Sequence, residues 1–194
     1  IPGNDDFISE VIGVTGVIKG AVLVVDASVG VQVGTVKHWN QLRRRGVPTF
    51  IYVNKMDKDN VNFDEVLDEI RTKLGKNAIP FCYPLGHGAG FDGFASCVDL
   101  KAYKSNGKCD VEDTIHDDKK SKVFEYHNTI VEEVAKTDDT LLEKFFNGET
   151  FTEKEIHDSL RIGVLNGELV PVVCGSVAKN VGIETLLQMF IDYL

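Results

Sequence analysis

The chain lacks the residue patterns that several common chemistries require. Its four cysteines, Cys82, Cys97, Cys109 and Cys174, form no C-x-x-C pair, the spacing that preorganises a zinc site. No metal site and no disulfide framework are therefore expected, and the thiols read as isolated, buried or half-buried groups in a reducing compartment. His38, His87, His116, His127 and His157 do not approach H-E-x-x-H spacing. No apolar run nears the roughly 20 residues of a membrane span, and Ile1 to Phe7 lack the basic-then-apolar pattern of a signal peptide. No membrane association and a cytoplasmic location are expected. Excess positive charge is missing too: the net charge of -9 and pI near 5.0 argue against binding nucleic acid mainly through phosphate neutralisation. Direct DNA binding is not expected. A phosphate-cradling loop, G-x-x-x-x-G-K-[ST], is also absent. Gly75-Lys76 has Ile70 in the first glycine's place, Gly107-Lys108 has Ala102, and neither lysine is followed by Ser or Thr.

What remains is a 194-residue chain with 43% hydrophobic and 26% charged residues, an ordinary globular balance. Three apolar, β-branched runs, Ala21 to Val25, Thr49 to Val53 and Leu169 to Val173, read as parallel strands buried on both faces. Val36, Trp39 and Leu42 have helical spacing, and Arg43 to Arg45 before Gly46 suit the negative end of a helix dipole. Phe63, Leu67, Ile70 and Leu74 mark a second helix stopped by Gly75, and Leu186, Leu187 and Phe190 a last one. Right-handed strand-helix-strand units give a parallel α/β sheet with its ligand site beyond the carboxyl ends of the strands. The stretch from about Lys76 to Gly167 breaks this rhythm. Phe94 to Leu100 and Lys101 to Tyr103 read as hairpin strands around the Ser105-Asn106-Gly107 turn. Helices follow, with Val123, Tyr126, Ile130 and Val134 on one face and a capping box at Thr152 and Glu155. Acidic residues from Asp110 to Asp118 read as a solvated face.

The motif with the clearest chemistry is Asn54-Lys55-Met56-Asp57, directly after a buried strand. A carboxylate at Asp57 can accept two parallel hydrogen bonds from guanine, from its ring N–H and its exocyclic amine. Adenine offers no such pair, and the unmatched carboxylate would then lose several kcal/mol, on the order of one or two charged hydrogen bonds. Asn54 can brace the loop and the Lys55 stem can lie along the ring. Cys174-Gly175-Ser176-Val177-Ala178 ends the third strand, where small residues let the backbone N–H groups of Ser176, Val177 and Ala178 approach the guanine carbonyl. Each motif alone also suits an ordinary turn; the pair at adjacent strand ends favours guanine. At the start, Gly3 before a helix can offer its N–H to a terminal phosphate.

In order along the chain, Pro2-Gly3-x-x-Asp6-Phe7, Gly20-Ala21-Val22 through Gly30-Val31-Gln32, Trp39, Val47-Pro48, Asn54 to Asp57, Arg71, Leu74-Gly75, Phe94, Val98-Asp99-Leu100, Cys174-Gly175-Ser176 and Lys179-Asn180-x-Gly182 resemble elongation factor G, essentially from end to end. The resemblance implies the C-terminal half of a P-loop-GTPase-type sheet over 1–75 and 168–194, and an inserted α+β subdomain over 76–167. It implies GTP or GDP as ligand, Mg²⁺ held by upstream residues, and a GTPase that drives transfer RNA and messenger RNA across the ribosome, its insertion touching the stalk protein. Two departures matter. Asn4 stands where the family has the histidine that positions the attacking water; an asparagine amide cannot carry a proton, although it can orient water. The absent phosphate loop removes most nucleotide affinity. The chain alone is therefore expected to bind GDP or GTP feebly, to hydrolyse neither, and to dimerise through a bared edge at strand 21–25. Two other readings stay open: a divergent paralogue similar to ribosome-protection proteins with weak hydrolysis, and an interaction module whose acidic face binds the stalk protein.

Overall fold

The computed structural model describes residues 1–194, the side chain of Asp5 excepted. After a 3-10 turn at Asp5–Phe7 the elements run α1 (Ile8–Val14), β1 (Ala21–Asp26), α2 (Val33–Arg44), β2 (Thr49–Asn54), α3 (Phe63–Lys73), β3 (Ala78–Pro80), β4 (Cys82–Leu85), β5 (Gly93–Ser96), β6 (Ala102–Ser105), β7 (Asp110–Asp113), α4 (Asp117–Ala135), α5 (Asp139–Phe146), α6 (Glu153–Leu165), β8 (Val170–Cys174) and α7 (Ile183–Tyr193). A parallel sheet has the order β1-β2-β8-β3, and an antiparallel sheet the order β4-β5-β6-β7.

The helices form where apolar spacing and end residues agree. Along α3, Phe63, Val66, Leu67 and Ile70 are buried, the Asn62 side chain accepts from the Asp64 N–H at the start, and Arg71 and Lys73 occupy the last turn. In α6 the Thr152–Glu155 capping box is complete. The expected face of α4 is the buried one, through Val123, Tyr126, Ile130 and Val134.

Strands β2 and β8 are buried on both sides, as their β-branched runs predict. Strand β1 departs from that expectation. It is an edge strand, and its alternate side chains Val22 and Val24 stay exposed, because one of its faces opens into a cleft of about 380 Å³ beside α1 rather than against a packed element. Strand β3, inside the stretch assigned to the insertion, is the fourth strand of the parallel sheet, pairing Ala78 to Pro80 with Val170 to Val172. Three residues ending in proline are too short to display a period. The hairpin also shifts: the Ser105–Gly107 turn joins β6 to β7, pairing Ser105 with Asp110, while β5 and β6 meet across residues 97–101. The acidic sequence of β7 hides a strand whose outer face is solvated.

One continuous core runs through both sheets. The hydroxyls of Tyr83 and Tyr126 both donate to Asp64, tying β4 and α4 to α3. His157 on α6 lies 3.0 Å from Asp99 and 2.6 Å from the Tyr193 hydroxyl on α7.

Candidate functional site

Register brings the motifs together. Asp26 pairs with Asn54 across β1 and β2, and Val53 with Cys174 across β2 and β8, so three strand ends share one rim. Past β2 the backbone turns at Lys55, whose φ of 66° is left-handed, a conformation that costs a non-glycine residue about 1 kcal/mol or more. What holds it is Met56: its side chain is buried, and its N–H donates to the Gly175 carbonyl at 3.2 Å. The turn aims Asp57 at the loop after β8, where the Ser176 hydroxyl donates to Asp57 Oδ1 at 2.6 Å. The Val177 N–H donates to Asn54 Oδ1 at 3.1 Å. Asn54, Lys55, Asp57, Ser176, Val177 and Ala178, all singled out from sequence, therefore form one cluster.

The second loop is closed at its base by reciprocal backbone bonds between Ser176 and Val181, 3.1 and 2.9 Å. Inside it the Lys179 N–H donates to Ser176 Oγ and the Asn180 N–H to the Val177 carbonyl. Of the amides from Ser176 to Val181, only that of Ala178 has no partner among the described residues. Asp57 Oδ2 has none either. Asp57 is half-buried, Val177 and Ala178 are exposed, and the rim is open. It presents a carboxylate acceptor and a backbone donor, a match for a planar group carrying two N–H donors beside a carbonyl.

Residues that the motif reading missed hold this shape. Lys55 Nζ lies 2.5 Å from Asp26 Oδ2, and Ser28 donates twice to Asp26 Oδ1. Burial works to raise the Asp26 carboxyl, but the bonds from Lys55 and Ser28 outweigh it and hold the group below its ordinary value. The Lys55 stem is thus drawn along the rim. Burial pushes the Tyr52 phenol far above its usual range, so it remains a donor, to the Val181 carbonyl at 3.3 Å. Gly175 is required by close approach: a Cβ there would stand 2.3 Å from the Tyr52 hydroxyl oxygen and 2.4 Å from the Val181 carbonyl. Asp26 and Tyr52 carried no motif signal because each reads as an ordinary strand residue. The cysteines need a correction as well: Cys82 and Cys174, remote in sequence, meet as buried free thiols with sulfurs 3.5 Å apart, because β4 leads off beside β8.

Against this geometry, the family profile described as the elongation factor Tu GTP binding domain matches residues 1–194. The chain belongs to that family. Its fold is similar to that of a crystal structure from Thermus thermophilus, with a TM-score of 0.91 and 30% identity, covering 100% of this chain and 29% of that one. The chain spans less than a third of that protein's length. The family is one of translational GTPases, whose domains bind guanine nucleotide, usually with Mg²⁺. The elongation factor G-type resemblance read from the motifs agrees with this membership and with the fold.

In this GTP-binding domain the remaining sequence candidates lie apart from the β2 and β8 loops. Gly3 and Asn4 are exposed, and Gly3 sits against the start of α2, where a Cβ on Gly34 would stand 2.6 Å from the Gly3 carbonyl. Among the described residues no three His, Cys, Asp or Glu side chains gather to hold a metal ion, and no helix is long and apolar enough to cross a membrane.

Proposed function

We propose that this chain supplies the guanine-reading part of an elongation factor G-type translational GTPase. The observation that carries the reading is a half-buried Asp57 carboxylate, oriented by Ser176, on the same rim as the Ala178 amide, which has no partner among the described residues. Asp57 would accept from the guanine ring N–H and amine while the Ala178 N–H donates to its carbonyl. Adenine presents an amine where guanine has that carbonyl, so two donors would face each other at Ala178 and the carboxylate would lose its partners. The Lys55 stem, drawn toward Asp26, would cover one ring face. Asn54 would hold the two loops in register through Val177.

Gly3 would offer its N–H to the terminal phosphate from the edge of the sheet. Asn4 would orient the attacking water without taking its proton, which makes hydrolysis slow. The phosphate loop and the Mg²⁺ ligands would come from residues outside these 194, so the chain alone binds nucleotide weakly and turns none over. Mg²⁺ would supply charge neutralisation at the phosphates when bound. In the cell the whole protein would act in the cytoplasm on the ribosome, with the insertion, from after β3 to about residue 167, meeting the stalk protein. In isolation the unpaired backbone edge of β1, where Val22 and Val24 are exposed, would pair two copies edge to edge.

Asn4 favours a second reading, a paralogue that uses GTP as a switch on the ribosome and hydrolyses it poorly. Phosphate release by the whole protein, with and without ribosomes, separates the two. Strong ribosome stimulation supports the translocase and absent stimulation the switch. Equal affinity of the whole protein for GDP and ADP would overturn both.

A further inference from the structure

The loop that carries Ser176 and Ala178 is held from two sides, and the second side is the insertion. Lys179 Nζ donates to the carbonyls of Ala89 and Phe91, at 2.6 and 3.1 Å. Ser105 Oγ donates to the Asn180 carbonyl at 2.9 Å, and Asn180 Nδ2 donates to the Lys108 carbonyl at 3.2 Å. Asn180 is itself left-handed, with φ 53°, so its conformation depends on such restraints. Immediately beyond, α7 begins at Gly182, which has no side chain to cap the helix. The cap comes from 72 residues away in sequence: Asp110, at the start of β7, accepts from the Gly182 N–H through Oδ1 (3.3 Å) and from Thr185 Oγ1 through Oδ2 (3.1 Å). Glu184 reaches back to the Asp110 N–H at 3.2 Å. Asp110 thus takes up the N-cap N–H of α7 from a separate segment, and Glu184 in the first turn returns a bond to it. Asp110 therefore does more than belong to a solvated acidic run.

We infer that Asp110 and Lys179 are positioning residues through which the insertion holds the guanine-reading loop in its base-accepting shape. Neither needs to touch the base. They act through Gly182 and the Lys179 backbone, whose N–H bonds to Ser176 Oγ, the same oxygen that orients Asp57. The chain of contacts is short: β7 to the start of α7, the insertion carbonyls to Lys179, Lys179 to Ser176, Ser176 to Asp57. Freed from the insertion, residues 177–180 keep only their bonds to the core, and the Ala178 amide loses its fixed direction.

The inference rests on the guanine reading above, and the test keeps the two apart. In the whole protein, GDP dissociation is followed with a fluorescent GDP analogue, and the GDP-to-ADP affinity ratio is measured for wild type, Asp110→Ala, Lys179→Met and Asp110→Asn. Expected are dissociation faster by about tenfold for Asp110→Ala and Lys179→Met, the loss of one or two hydrogen bonds, and a smaller GDP-to-ADP ratio. Asp110→Asn keeps an oxygen acceptor for Gly182 and is expected to recover much of the loss. A purely structural role would lower the fraction of active protein without changing the ratio. If Asp110→Ala does not fold, Lys179→Met, which leaves the α7 cap intact, decides the question. Wild-type selectivity for GDP with unchanged rates and ratios in a folded Lys179→Met or Asp110→Ala would overturn the inference. Absence of selectivity in the wild type would instead remove the guanine reading, and the inference with it.

Discussion

Replacing Asp57 with asparagine exchanges one oxygen for an amide nitrogen and reverses the direction of one hydrogen bond. Asp57 Oδ1 already accepts from Ser176 at 2.6 Å, and an asparagine oxygen can keep that bond, so the loop is expected to stay folded. The change falls on Oδ2, which has no partner among the described residues. In the proposed complex it would face a guanine donor in the wild type; in the variant an N–H would face an N–H. Hydrogen bonds to a charged acceptor contribute about 1.5–3 kcal/mol each. Losing one costs about 1.5–3 kcal/mol, roughly one to two orders of magnitude in Kd. Xanthine carries a carbonyl where guanine carries its amine, so the same variant is expected to gain affinity for xanthosine diphosphate. Titration calorimetry of the whole protein with GDP, ADP and xanthosine diphosphate, beside a thermal melt, measures both effects. The reasoning is refuted if GDP binds the folded variant as tightly as the wild type, or if affinity falls equally for GDP and ADP.

Gly175→Ala sets a methyl 2.4 Å from the Val181 carbonyl, which is backbone and cannot swing away. Destabilisation of about 1–3 kcal/mol, visible as a lower urea midpoint, should accompany lost base discrimination, and Tyr52→Phe in the same background should restore little of either. Val24 is 56% exposed on the edge strand, so Val24→Lys should keep the isolated chain monomeric in light scattering at concentrations where the wild-type mass rises; equal masses would remove the edge-pairing proposal. Glu155 is held down to about 2 by its hydrogen bond with Lys144, then by those from the Thr152 N–H and hydroxyl. Because the folded value lies below the ordinary 4.5, its contribution to stability is fully present above that pH and is lost as pH falls through about 2. Glu155→Gln should therefore flatten the fall of the urea midpoint across that window, and an unchanged slope would show that the contact carries no linkage.

Segments whose own side chains specify their state were legible in sequence. Strands β2 and β8 show as β-branched runs because both faces are buried, and α3, α4 and α6 show because one face of each repeats apolar residues or carries its own cap. Strands β3, β4 and β7 did not: two contain proline and are only three or four residues long, and the third is acidic. Their strand character comes from the neighbours that bond to them, which a local pattern cannot carry. The exposed face of β1 followed from the cleft beside α1, a fact of packing rather than composition.

The same division runs through the site. Sequence alone singled out the groups proposed to read a purine edge, because an aspartate after a buried strand and a small-residue loop after another are chemical properties of the chain. Only the tertiary structure decided that Asp57 meets Ser176, that Asp26 takes up Lys55, and that Asp110 caps a helix 72 residues away. Those contacts join residues from 29 to 119 positions apart. Parallel pairing and one shared core bring such residues together, and neither is a property of any local stretch of sequence.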